Sequence, residues 1–184
     1  FAILSTYIMH FMMSKRWKPY TFPFILATWI AIILINKLSI LDMVSHAGAL
    51  AKLNIFSAIT EGFGQVMFQG SIIAGILFFI GIFLHSRKSA LFGLLGSVLG
   101  MLFALGLGMP LDAISIGLFG YNAVLCAIVF AGDGKKAIVS VFVATAISVI
   151  ILDGFIENKL IALTAPFDFS TWITEFIRNK FAPK

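Results

Sequence analysis

The ten residues at 21–30, TFPFILATWI, return at 164–173 as TAPFDFSTWI. Six of the ten positions are identical: Thr, Pro, Phe, Thr, Trp and Ile. Each copy places a proline two residues after its first threonine, near the start of a short apolar segment. A repeat of this kind constrains the fold through its direction. An even number of membrane crossings between two copies keeps their orientation, and an odd number inverts it.

Composition decides whether there are crossings to count. The chain has 184 residues, 60% hydrophobic and 11% charged, with a mean hydropathy of +1.06. A soluble domain is nearer about 45–50% apolar and about 25% charged. Too few polar side chains remain to coat a water-facing globule, so the expected class is an all-α integral membrane protein. The single Cys126 lies in an apolar stretch, excludes a disulfide framework within the chain, and reads as a small buried hydrophobe. Phe1 leads directly into apolar sequence, with no initiator Met, basic leader or small-residue cleavage site. These residues are read as internal to a longer protein, not as a signal peptide.

Spanning a bilayer takes roughly 20 apolar residues. Apolar segments lie at 1–13, 21–36, 71–85, 89–108, 113–131, 136–153 and 162–177. Between 37 and 70 the chain is mixed, with Asp42, His46, Lys52, Asn54, Glu61 and Gln65. Within it, ITEGFGQVMFQG is too short to span and predicts a re-entrant pore half-helix near 57–69. Alternating the spans puts ten of the 13 cations on the side of loop 14–20, leaving Lys37, Lys52 and Lys159 opposite. Asp42, Asp112, Asp153 and Glu157 join those three. The richer side, and with it the C-terminus, is predicted to be cytoplasmic. The net charge of +5 is thus a topology signal and argues against a nucleic-acid partner. Five spans separate the starts of the two phrases, so the second copy is expected to be inverted. The predicted organisation is the end of one repeat with its last two membrane segments (1–36), a complete repeat with the pore half-helix and five segments (37–178), and a cytoplasmic tail (179–184).

Each motif has a plainer reading beside the functional one. Pro23 and Pro166 lack a backbone N–H and disrupt helix interiors, leaving carbonyls free to face a solute; alternatively they simply start their helices. Their matched positions favour the pore role, with Thr21 and Thr164 each supplying a hydroxyl. In GFGQVMF, at 62–68, Gln65 and Phe68 stand three apart, on one helical face. An amide beside a ring suits a flat neutral solute, yet the stretch alone reads better as an ordinary capped helix with Phe in the core. Glu61 reads as a first-turn acid. In GLFGYNAVL, at 117–125, Tyr121 and Leu125 share a face, and Asn122 is expected to bond internally to irregular backbone. Gly96 and Gly100 in GLLGSVLG predict close helix packing. His10, His46 and His85 show no metal spacing, and no nucleophile–base pair or phosphate loop is present. No cofactor and no enzymatic activity are expected.

In this order and spacing, GFGQVMF, GSVLG followed by GLFGYNAVL, and the doubled T-x-P-F resemble the urea transporter (urea channel) family over nearly the whole chain. The resemblance implies two inverted halves, each with a short pore helix, commonly assembled as a homotrimer in a cell membrane, a bacterial inner membrane included. It implies passive flow of urea through slots of aromatic and leucine side chains past a ladder of backbone oxygens. Carried over, Gln65, Val66 and Phe68 match the second pore-helix motif, Tyr121 and Leu125 the slot positions, and Thr21 and Thr164 the mid-pore threonines. The chain departs from the pattern at Asp168, where the first copy has Ile25. A carboxylate at bilayer depth costs roughly 2.5–3.5 kcal/mol on insertion scales, so it is partnered, near a wet vestibule, or functional. Two other readings stay open at this point: a channel for another small neutral solute such as ammonia or a short amide, and a non-conducting membrane subunit.

Overall fold

The structure, a computed structural model, describes residues 1–37 and 53–180. Expectations resting on Asp42, His46, Lys52, Lys184 and the stretch 38–52 lie outside the described residues. Within them every regular element is a helix. α1 (Ala2–Ser14) and α2 (Phe22–Lys37) form a hairpin-like pair. α3 (Ile55–Gln65) starts at Asn54, whose side chain accepts the Ser57 N–H at 3.1 Å. This N-cap satisfies one of the first turn's orphan donors. α4 (Ile72–His85) and α5 (Arg87–Gly106) follow, then α6 (Leu111–Ser115), α7 (Tyr121–Val129), α8 (Lys135–Glu157) and α9 (Ala165–Lys180).

α5 and α8 have 20 and 23 residues with mean hydropathies of 1.9 and 2.3, long and apolar enough to cross a membrane. At about 1.5 Å per residue they measure about 30 and 35 Å. Their outward faces are greasy: Leu91, Leu102, Ile138, Val139 and Phe142 are all more than half exposed. The interior holds Asp168, Asn122, Thr145, Thr171 and Ser97, each at most 1% exposed. The polarity is inside out relative to a water-soluble bundle.

Small residues set the packing. A Cβ on Gly96 would sit 2.4 Å from the Ala123 carbonyl, and one on Gly100 2.4 Å from the Phe119 carbonyl. α5 and α7 therefore touch through backbone, as the Gly96/Gly100 spacing predicts.

The apolar run 113–131, expected as one span, is broken. α6 ends at Ser115, and α7 begins only at Tyr121. Gly117 between them adopts φ +72°, which a side chain resists. A Cβ there would also lie 2.3 Å from the Gly62 nitrogen. The break thus lets α3 lie directly against irregular backbone. Gln65 Nε2 donates to the Ile116 carbonyl at 3.1 Å, and the Asn54 N–H donates to Ser115 Oγ at 3.2 Å.

Candidate functional site: two helix starts that meet

α2 and α9 begin in the same way. Phe22 N–H bonds the Pro19 carbonyl at 3.0 Å, and Ala165 N–H bonds the Ala162 carbonyl at 3.0 Å. Both prolines then fall at the second helical position, where a missing N–H costs nothing. They are helix-starting prolines and not breaks in a helix interior, which corrects the first expectation about them. What the motif does is bring its threonines together. Thr21 Oγ1 and Thr164 Oγ1 lie 2.8 Å apart.

The likeness extends beyond the ten-residue phrase. Thr21 and Thr164 are 143 positions apart. At the same offset, α1 ends at Ser14 and α8 at Glu157, and α2 and α9 begin at Phe22 and Ala165. Among the described residues five non-glycines have left-handed backbone, and four fall in two pairs at that offset: Arg16 (φ 59°) with Lys159 (φ 54°), and Tyr20 (φ 43°) with Leu163 (φ 48°). Trp17 N–H bonds the Met12 carbonyl at 2.9 Å, as Leu160 N–H bonds that of Phe155 at 2.8 Å. Different side chains, SKRWKPY and ENKLIAL, make one loop twice.

The two starts also hold each other. Trp29 Nε1 donates to the Ile161 carbonyl at 2.8 Å, and Trp172 Nε1 donates to the Lys18 carbonyl at 2.9 Å. Trp29 and Trp172 correspond at the offset, and so do Lys18 and Ile161; each copy's tryptophan fastens the other's loop. With the threonines touching and each tryptophan reaching back past the other copy's start, α2 and α9 diverge head to head. Both N-termini, the positive ends of their dipoles, converge on the threonine pair.

A carboxylate sits at this point. Asp168 is fully buried in the first turn of α9. Its Oδ1 accepts the Thr21 N–H at 3.1 Å and its Oδ2 accepts the Thr21 hydroxyl at 2.7 Å. The departure noted in the sequence is therefore partnered, by a helix N-terminus and a hydroxyl. Further along α9, Glu175 pairs with Lys18 and accepts from the Tyr20 hydroxyl at 2.9 Å. Burial first, then Glu175, holds the Tyr20 phenol protonated well above its usual range.

The other expected residues divide between two places. Asn122 Oδ1 accepts the Phe167 N–H at 3.1 Å, an internal bond as expected, but to the first turn of α9 and not to irregular backbone. Tyr121 is buried and donates its hydroxyl to the Leu163 carbonyl, bracing the loop before Thr164. Leu125, one turn on, packs against the buried cluster that contains Phe167, as Tyr20 does. Val66 packs on the cluster that contains Tyr121. Gln65 and Phe68 do not share a helical face, because α3 stops at Gln65. Gln69 N–H turns back to the Gly64 carbonyl at 3.0 Å, and Phe68 has φ 56°. Phe68 is instead exposed beside Phe24, ring centroids 6.4 Å apart. Among the described residues, no three His, Cys, Asp or Glu side chains cluster as metal ligands. Sequence reasoning gave no role to Trp29 and Trp172, although they are among the six identical positions.

A family model described as "UT: Urea transporter" matches residues 1–179. The chain belongs to the urea transporter family. It is 40% identical to "Urea transporter 1" of Mus musculus over 78 residues, which is 42% of this chain and 20% of that protein. It is likewise 40% identical to "Urea transporter 1" of Ovis aries over 73 residues, 40% of this chain and 19% of that protein. The matched stretch is thus about a fifth of each relative's length. Membership in the urea transporter family fits a helical bundle with polar residues buried inside and apolar side chains outward on α5 and α8.

Proposed function

We propose that the protein is a multi-pass membrane channel that passes urea down its gradient, and that the meeting of α2 and α9 is the middle of its passage. The observation that carries this reading is the crossed contact between the two T-x-P-F starts: threonine to threonine on the axis, tryptophan to opposite loop on either side. Reciprocal bonds of this form arise when two copies are related by a two-fold rotation. They support an inverted repeat, with 1–36 the end of one copy and 37–178 the other. α3, eleven residues long and seated against the 116–120 break, has the form of a re-entrant pore helix. The homotrimer and the cytoplasmic C-terminus rest on the resemblance and on the cation count.

The chemistry suits the solute. Urea is flat, with four N–H donors and one carbonyl. Removing its water costs several kcal/mol unless the wall replaces the lost bonds. Hydroxyl oxygens at Thr21 and Thr164 and loop carbonyls can do so without a net charge on the solute. Aromatic and leucine side chains such as Phe68 and Leu125 restrict its outline. Urea-driven shrinkage of proteoliposomes holding the full-length protein tests the reading. Flux well above that of empty vesicles, with no ion gradient, is the expected result. Flux that requires a sodium or proton gradient, or no flux, overturns it.

A further inference from the structure

We propose that Asp168 is a positioning residue that sets the hydrogen-bond polarity of the threonine pair, so that the pair accepts hydrogen bonds, donates none, and selects solutes by their N–H groups. This rests on the channel reading, since the threonines must meet the solute.

Thr21 has two donors, its N–H and its hydroxyl, and one carboxylate takes both, at 3.1 and 2.7 Å. A threonine hydroxyl carries a single proton. Given to Asp168, that proton is not available to Thr164. The 2.8 Å contact between the hydroxyls must then be made by the Thr164 proton pointing at the Thr21 oxygen. The protons run one way, from Thr164 to Thr21 to Asp168. A third molecule meeting the pair finds lone pairs only.

The surroundings keep this order. Asp168 is fully buried, so water does not compete for the carboxylate. Against the cost of burial, the Thr21 N–H and hydroxyl and the converging N-termini of α2 and α9 favour its negative charge. The first copy has Ile25 at the corresponding position, equally buried, so the polarity is imposed from the α9 half alone. A solute with N–H groups satisfies the exposed lone pairs. A solute of the same outline with only an acceptor leaves them unpaired, and a site built to bond a missing group rejects the analogue that lacks it.

Competition with urea flux in proteoliposomes tests this, using thiourea, which keeps the flat outline and the N–H groups, and acetone, which keeps the outline and has none. In the wild type, thiourea is expected to slow urea flux and acetone at equal concentration to leave it unchanged. Asp168→Asn keeps an acceptor for the Thr21 N–H but turns an amide N–H toward the Thr21 oxygen, releasing the Thr21 proton. The thiourea-over-acetone discrimination should then narrow about fivefold or more. A conducting Asp168→Asn variant with the wild-type discrimination overturns the proposal. If that variant does not fold, the wild type decides, because acetone competing as well as thiourea overturns it too. A wild type that passes no urea overturns the channel reading itself, a result distinct from a conducting wild type without the preference.

Discussion

The starts of α2 and α9 share backbone and cap bonds, yet they live in different surroundings. Phe167 is 3% exposed and its counterpart Phe24 is 37% exposed. The α9 start is enclosed by α7 and α8, with Asn122 satisfying the Phe167 N–H. Among the described residues, the α2 start has α1 beside it and the crossed contacts to α9. Local conformation is therefore written in the short phrase and the loop before it, while burial is decided by what packs from elsewhere in the chain. The same ten-residue phrase carries a carboxylate on one side, where Asp168 takes the opposite threonine's N–H, and the equally buried Ile25, which has no acceptor to offer, on the other.

This contrast can be broken by measurement. The largest effect is expected at the paired phenylalanines. Phe167→Ala should cost about 3–5 kcal/mol in denaturation of the detergent-solubilised protein, as for a truncated core aromatic. Phe24→Ala should cost less than half of that; equal losses would erase the asymmetry. Next comes Asn122→Leu, which leaves the buried Phe167 N–H without its acceptor and should cost about 1–3 kcal/mol. An unchanged midpoint would show that the α9 start does not depend on α7. The crossed tryptophans sharpen the comparison further. Trp29→Phe should cost about 1 kcal/mol and Trp172→Phe a few tenths less, since the Lys18 carbonyl is the more exposed acceptor and water can replace the lost donor. The reverse order would contradict the assigned surroundings. Smallest is Lys18→Ala, whose ion pair with Glu175 has an exposed lysine side and should be worth at most about 1 kcal/mol, diminishing with added salt.

Much of the helix layout was legible in the sequence. Apolar runs bounded by charges or by Ser and Gly gave α1, α2, α4, α5 and α8 to within a few residues. The break at 116–120 was not, because GLFG continues an apolar run without a polar marker, and Gly117's left-handed backbone is invisible to periodicity. The end of α3 at Gln65 was missed for a related reason: GFGQVMF keeps helical spacing through a turn. The two threonines stood out because the phrase is doubled, but their direct contact appears only in the fold. The Asp168–Thr21 bonds were not legible, since they join residues 147 positions apart and exist only once the two helix starts have met. The loops at 15–21 and 158–164 share their shape with little shared sequence, so their correspondence emerged only in backbone angles and bonds.

The crossed tryptophan bonds are self-complementary. A joint in which each side offers one indole and one loop carbonyl needs a single sequence to make both halves. In such a joint what each side donates the other accepts, so one surface can close upon a copy of itself. The aspartate on one side and the isoleucine on the other take no part in those indole bonds, so the joint holds without the two sides being identical.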